Sequence, residues 1–275
     1  MQLRSMRISA LGVTCGLLLA ATSAARASSV TLQAPSDINQ FVNPGVNGGL
    51  NVTLQGNVAN NAYVGQINWT VASSNTPNFQ AGQSLGTFCI QGLQDVYTGG
   101  AYTYDIVNLN TAGLPEGGPD VGILNGTSAQ QIQGLANNYF ANIGGSVGTH
   151  NVNQVAAAFQ LAIWEIEYDG GNGGETFTPG GNVNYFAGGN FSATANNSDG
   201  SGAMDLANSW LNNFSPANGV TSLALVSTSA QDQLVFQPGG GEGPPPSVPL
   251  PAAFPAGIAL MGGLFGARKL RRAAD

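Results

Sequence analysis

Basic residues are missing from almost the whole length of this 275-residue chain. All seven Lys and Arg residues lie near the two ends, and none lies between Ala27 and Arg268. That interior contains 13 of the 14 acidic residues, all except Asp275, so its formal charge is −13. Proteins bind the phosphate backbone of nucleic acids through Lys and Arg, which displace counterions. Nucleic acid is therefore excluded as a partner, as are a catalytic lysine Schiff base and an arginine that clamps an anion.

Residues that bind metals or act as catalytic bases are also few. His150 is the single histidine, which excludes zinc sites built from several histidines. Glu165 and Glu167 are two positions apart on a predicted helix, so they point in different directions and make a poor glycosidase pair. Glu165 and Asp169 share a helix face, which we expect to be solvated. We therefore predict that the protein is not an enzyme and has neither a cofactor nor a metal site.

Two glycine-rich segments, 169–175 and 197–205, contain Asp and Asn oxygens of the kind that bind Ca²⁺. Neither segment matches the spacing of an EF-hand loop. We expect both to form simple turns.

Charged residues are only 8% of the chain, about a third of the usual share, whereas hydrophobic residues, at 43%, are close to normal. The chain can therefore bury a core. Short apolar or alternating segments between Gly- and Asn-rich turns predict strands. The predicted strands are 50–54, 62–71, 85–90, 101–109, 183–186, 222–227 and 233–236.

Three segments carry apolar residues at helical spacing and predict helices. They are 128–140, 152–168 and 201–214. Together with the strands, they predict one β-rich (α+β) domain over residues 28–236. We expect a β-sandwich-like arrangement with two or three inserted helices.

Residues 1–27 have the parts of a secretory signal peptide. Arg4 and Arg7 form the positive region, an apolar stretch follows, and Ala25-Arg26-Ala27 supplies the cleavage site. We expect a mature chain that begins at Ser28 and has lost Cys15.

The C-terminal segment has the organisation of a sorting signal. Residues 237–247 form a Gly- and Pro-rich linker. Residues 248–275 contain a motif, an apolar span over 252–267 and a basic stop that stays in the cytoplasm. The motif is Val248-Pro249-Leu250-Pro251-Ala252, and the basic stop is Arg268, Lys269, Arg271 and Arg272.

This tail resembles the PEP-CTERM class of bacterial sorting signals in its VPLPA variant, and the motif matches at every position. The resemblance implies processing by exosortase, a membrane protease, in a two-membrane bacterium. The protein would be secreted, anchored transiently in the inner membrane through its transmembrane helix, and then held at the cell surface or in the extracellular matrix. An ordinary C-terminal membrane anchor is the alternative.

Loss of the signal peptide leaves a single cysteine, Cys89, which cannot close a disulfide within the chain. One interpretation is a buried apolar cysteine in a strand, as the segment Thr87-Phe88-Cys89-Ile90 suggests. The others are a bridge between molecules, a reactive thiol, or a thiol bonded to something other than sulfur.

Gln160 interrupts an otherwise apolar predicted helix. Burying its amide without partners would cost roughly 1–3 kcal/mol. Ordinary hydrogen bonds are one solution. Loss of ammonia to Cys89, which makes Gln160 the acyl half of an internal thioester, is another.

The two segments together resemble the thioester domains of bacterial adhesins. Those domains pair an aromatic-Cys-aliphatic strand with a helix of the pattern Thr-Gln-x-Ala-Ile/Val-Trp. Phe88-Cys89-Ile90 matches the strand, and Gln160-x-Ala162-Ile163-Trp164 matches the helix, whereas Phe159 replaces the Thr. The resemblance implies a thioester between Cys89 and Gln160, and we expect Phe88, Phe159 and Trp164 to shield it from water.

A thioester acylates amines, so a domain that contains one is safest without amines of its own. The absence of lysine from the interior agrees with this, and it excludes a Lys–Asn isopeptide crosslink. Compositional drift in an exported acidic protein is the other explanation.

Three functional hypotheses follow. In the first, the protein is an adhesin-like module whose thioester captures an amine or hydroxyl of a surface or matrix polymer. In the second, it is a structural or carbohydrate-binding matrix protein with an inert Cys89. An extracellular hydrolase that uses the acidic residues is the least favoured.

The two end signals predict how the chain is processed. We expect mature protein to begin at Ser28 and released protein to lack the basic stop, because exosortase acts on the tail. Mass spectrometry of the surface-associated and released protein tests this. Released protein that still carried residues 268–275, or an unchanged location after deletion of 248–275, would contradict it.

Overall fold

The computed structural model describes residues 27–90, 92, 96–109, 124, 126–169, 184–213 and 221–237. The predicted signal peptide up to residue 26, the linker from 238 onwards and the sorting tail lie outside the described residues. The described residues from 27 to 237 belong to one unit. The predicted domain boundaries border or lie among residues outside the described ranges and stay predictions.

Eight strands in the described part of the chain form one antiparallel sheet. They are β1 (Ser29–Gln33), β2 (Val42–Leu54), β3 (Asn57–Ser74), β4 (Ser84–Cys89), β5 (Ala101–Asn108), β6 (Phe191–Ala195), β7 (Thr221–Val226) and β8 (Gln233–Gln237). Their order is β1-β5-β7-β8-β4-β3-β2-β6, and β1 also pairs with β3. The second pairing closes six strands into a barrel, and β2 and β6 extend the sheet beyond β3.

The β-rich class with inserted helices is confirmed, but the sandwich-like arrangement is not matched. The reason lies in β1, which the sequence analysis did not predict. Its residues pair with β5 on one side and with the end of β3 on the other, for example Val30 with Tyr104 and with Ser74. This strand joins the two edges that a sandwich would leave apart, which also removes two exposed strand edges.

Aromatic side chains fill the barrel. Trp69 of β3 makes edge contacts with Tyr102 and Tyr104 of β5, at centroid distances of 6.0 and 6.2 Å. These strands are separated by β1 in the sheet, so side chains that meet between them lie inside the barrel. Trp69 and Tyr104 are fully buried.

Four α-helices belong to the described residues. They are the short α1 (Ile38–Phe41), α2 (Gly126–Tyr139), α3 (Val152–Asp169) and α4 (Ser198–Asn213). Asn151 starts α3 by accepting the backbone N–H groups of Asn153 and Gln154, whereas neighbouring His150 forms a β-bridge with Val147. Helix α3 packs against α4, α2 and strands β2 and β3, and it is buried from Val155 to its end. It is the central helix of the fold.

The periodicity of the sequence identified most of these elements. The three long helices and six of the strands match predicted segments. The predicted strand at 183–186 is wrong, because Tyr185–Ala187 forms a 3-10 turn that the Asn184 side chain caps. Strands β1 and β6 were not predicted, although β1 alternates between polar residues and the buried Val30 and Leu32.

Two glycines at the start of α4 provide a test of its packing on β2. A Cβ at Gly200 would collide with the backbone oxygen of Gly49, whereas a Cβ at Gly202 would meet the movable end of the Gln154 side chain. We expect Gly200→Ala to lower the free energy of unfolding by more than about 1 kcal/mol. Gly202→Ala should be neutral or stabilise by up to about 1 kcal/mol, because alanine favours helix.

Urea unfolding of both variants measures the difference. Equal stability of the two would show that α4 does not press on the β2 backbone as described.

Candidate functional site

Cys89 is the last residue of β4, where the strand keeps one neighbouring strand and loses the other. On one side it pairs with Gln233 of β8. On the other side the pairing of β4 with β3 ends at Thr87, two residues earlier. The backbone N–H and C=O of Cys89 on that side therefore need partners other than a strand.

Gln160 of α3 supplies both partners. Its Oε1 accepts the backbone N–H of Cys89 at 2.8 Å, and its Nε2 donates to the backbone oxygen of Cys89 at 2.9 Å. The two residues are 71 positions apart in the sequence, and Gln160 is 1% exposed. The side-chain amide of Gln160 thus replaces the hydrogen bonds that β3 would otherwise make to β4. Cys89 and Gln160, which the two motifs singled out, therefore lie together. A contact between Cys89 Sγ and Gln160 Cδ stays a prediction.

The sulfur has two further glutamines beside it, which are not among the predicted site residues. Cys89 Sγ donates to Oε1 of Gln231 at 3.0 Å, and Nε2 of Gln233 lies 4.0 Å from Sγ. Both glutamines are buried. The sequence gives only a partial signal for them, since Gln233 begins the predicted strand at 233–236 and Gln231 lies two positions before it.

Burial controls the acidity of the thiol. Loss of hydration raises the pKa of Cys89 to about 12; the hydrogen bond from Gln233 opposes this rise, and the Glu167 carboxylate adds to it. The thiol is therefore protonated at neutral pH. A cysteine that acts by being a ready thiolate needs the opposite shift.

Two of the three predicted shielding residues lie in one aromatic cluster. The rings of Phe88 and Phe159 meet edge to face at 4.9 Å, and Phe159 also contacts Phe236 at 5.4 Å. All three are buried. This cluster packs α3 against β4 and β8 directly beside Cys89, and it keeps that side of the site apolar.

Trp164, the third predicted shielding residue, lies one turn after Gln160 on α3. It is 6% exposed, and its ring contacts Phe191 of β6 at 6.0 Å. Its indole N–H has no hydrogen-bond partner among the described residues. Trp164 therefore covers the β6 side of the helix and does not join the Phe88 cluster.

The end of α3 carries buried carboxyl groups, so the expected solvated face is wrong. Glu165 is 3% exposed, and Glu167 and Asp169 are also buried. The two oxygens of Asp169 accept the backbone N–H groups of Asn190 and Phe191, which ties the helix end to the start of β6. Tertiary packing on every side of α3 explains the burial.

The simple turn expected at 197–205 is wrong, because most of this glycine-rich segment is helical. In 197–205, residues from Ser198 onwards begin α4, and Asn197 caps the helix by accepting the N–H of Gly200. In 169–175, Asp169 ends α3 and the rest lies outside the described residues. No group of three His, Cys, Asp or Glu side chains in the described ranges could bind a metal ion.

None of the helices in the described part of the chain combines the length and apolar character that crossing a membrane requires. Comparison with known proteins finds no matching family model, no matching curated protein and no matching solved structure. The site geometry therefore carries the functional argument.

Glu165 makes stability depend on pH. Burial, and secondarily the Asp169 carboxylate, raise the pKa of Glu165 from 4.5 to about 9. The folded protein keeps a proton that the unfolded chain releases, so the free energy of unfolding falls as the pH rises through this window. The slope is at most about 1.4 kcal/mol per pH unit.

We expect Glu165→Gln to match the wild type near pH 4.5 and to be more stable than it at pH 8. Urea unfolding at both pH values measures this. Asp205→Asn, which changes an exposed acid of α4, is the control and should keep the wild-type pH dependence. A Glu165→Gln variant that keeps the wild-type slope contradicts the assignment.

Proposed function

We propose that this is an exported, surface-retained bacterial protein that attaches to a surface or matrix polymer through a thioester between Cys89 and Gln160. One observation carries the proposal: the Gln160 amide is bonded to both backbone polar groups of Cys89. The Gln160 amide is thereby held against the backbone of the residue that carries the thiol, which brings together the two positions that the crosslink would join.

The reaction balances without a cofactor. The Cys89 sulfur forms a bond to Cδ of Gln160, the bond from Cδ to Nε2 breaks, and ammonia leaves with the proton of the thiol. An amine or hydroxyl of the polymer later forms a bond to Cδ. The carbon–sulfur bond then breaks, and the nucleophile's proton passes to the sulfur.

The surroundings support this chemistry. The Phe88 and Phe159 rings and the burial of both partners limit hydrolysis by water. The interior of the chain has no lysine that could consume the thioester. The C-terminal tail, through its resemblance to exosortase signals, supplies the proposed location at the cell surface, with exosortase as processing partner and the membrane as transient anchor.

A second function rests on the same contacts. The Gln160 amide donates one hydrogen bond and accepts one at Cys89, and the thiol has an acceptor in Gln231. A permanently hydrogen-bonded glutamine beside an inert thiol would suit a structural or carbohydrate-binding matrix protein. The two functions differ by one ammonia in the mass of the protein.

Intact mass spectrometry of the exported protein tests the proposal. We expect wild type to lack the mass of one ammonia and both Cys89→Ala and Gln160→Ala to retain it. Gln231→Ala is the matched control, because it removes a buried glutamine that touches the same sulfur and should still lack the ammonia.

Alkylation gives a second readout. An alkylating reagent should modify wild type only after methylamine has opened the thioester. Full mass in wild type overturns the proposal and leaves the matrix protein with an inert Cys89. If Gln160→Ala still lacked the ammonia and Gln231→Ala had the full mass, the acyl group would belong to Gln231 instead.

A further inference from the structure

A chain of buried hydrogen bonds leads from the barrel to the sulfur of Cys89. The indole Nε1 of Trp69 donates to Oγ1 of Thr87 at 2.9 Å, and Thr87 Oγ1 donates to Oε1 of Gln233 at 2.8 Å. The Nε2 of Gln233 donates to the backbone oxygen of Gln231 at 3.1 Å and faces Cys89 Sγ at 4.0 Å. Trp69, Thr87 and Gln233 are all 1% exposed or less.

The direction of each bond follows from chemistry. An indole N–H can only donate, so Thr87 must accept from Trp69. The single hydroxyl proton of Thr87 is then free for Gln233, whose contacting atom must be the oxygen. The amide of Gln233 is thereby oriented with its NH₂ group toward the sulfur, and the opposite orientation would place its oxygen against the backbone oxygen of Gln231, two acceptors.

The strand register explains why these side chains meet. Cys89 pairs directly with Gln233, and Thr87 lies two positions before Cys89, on the same side of β4. Ile67 pairs with Thr87, which places Trp69 diagonally next to it. The side chains of Trp69, Thr87, Cys89 and Gln233 therefore lie on one side of the neighbouring strands β3, β4 and β8.

The sulfur consequently has complementary neighbours. Its proton points to Oε1 of Gln231, an acceptor, and an N–H of Gln233 points to the sulfur, a donor. When the sulfur bears negative charge, the donor is the group that interacts favourably with it. Glu167 opposes that charge.

We infer that Gln233, oriented by Thr87 and Trp69, is a catalytic residue of the proposed thioester, because its N–H stabilises the sulfur anion that attacks Gln160 and that leaves on aminolysis. The inference rests on the proposed function. Thr87 and Trp69 do not touch the sulfur and act as positioning residues. The sulfur carries negative charge both when the thioester forms and when it opens. Because the site excludes bulk water, a fixed hydrogen-bond donor stabilises this charge far more than it would in solution.

The experiment measures the rate at which methylamine opens the thioester, followed through release of the Cys89 thiol. For Gln233→Leu we expect a loss of about 10²-fold in the rate constant, the typical cost of removing one fixed donor. For Thr87→Val, which removes the bond that orients Gln233 and also the acceptor of the Trp69 indole N–H, we expect a loss of about 10-fold. Thr87→Ser keeps the hydroxyl and should retain the wild-type rate.

Thermal unfolding of each variant separates this effect from general damage. We expect the rate constant for methylamine to depend on whether residue 87 carries a hydroxyl, and not on the melting temperature of the variant. If Gln233→Leu does not fold, the comparison of Thr87→Val with Thr87→Ser decides the inference alone.

Each outcome has a separate meaning. Wild type without the missing ammonia overturns the proposed function and this inference with it. A thioester that forms in wild type, with equal rates in Thr87→Val, Thr87→Ser and wild type, overturns the role of Gln233 and leaves the proposed function intact.

Discussion

The arrangement of the domain depends on the pair of hydrogen bonds between the Gln160 amide and the backbone of Cys89. Strand β4 loses its partner β3 after Thr87, and an unpaired backbone at that depth would cost about 1–3 kcal/mol per group. One side chain from α3 fills the gap, which fixes the helix against the barrel at the level of Cys89.

Amide groups take over in this domain the roles that charges have elsewhere. Without Lys or Arg, buried polar groups cannot be neutralised by ion pairs, so the site is built from Gln160, Gln231 and Gln233 together with Thr87. Amides donate and accept at once, which lets these side chains bond to the backbone, to Thr87 and to the thiol without carrying a charge. The buried carboxyl of Glu165 illustrates the same constraint, because it stays protonated where no cation is present.

The helices, most strands and the proximity of Cys89 and Gln160 could be predicted from the sequence, for different reasons. Helical periodicity over 18 residues identifies α3, and the two motifs pointed to the pair. The closed barrel was not predictable, because it depends on five residues of β1 that find partners on both sides. Glu165 was misjudged because periodicity reports a helix face and not what packs on it. Gln233 was missed because its role follows from the pairing register with Cys89.

A high thiol pKa is compatible with a thioester and less so with a free reactive cysteine. A redox or alkylation-prone cysteine must be a thiolate before it meets its reagent, and burial at Cys89 prevents that. In an internal thioester, the reacting partner is already in place, so proximity offsets the scarcity of thiolate. Burial then becomes useful, since it excludes the water that would hydrolyse the bond. What such a site still needs is a fixed donor for the sulfur at the moment of bond exchange, and Gln233 occupies that position.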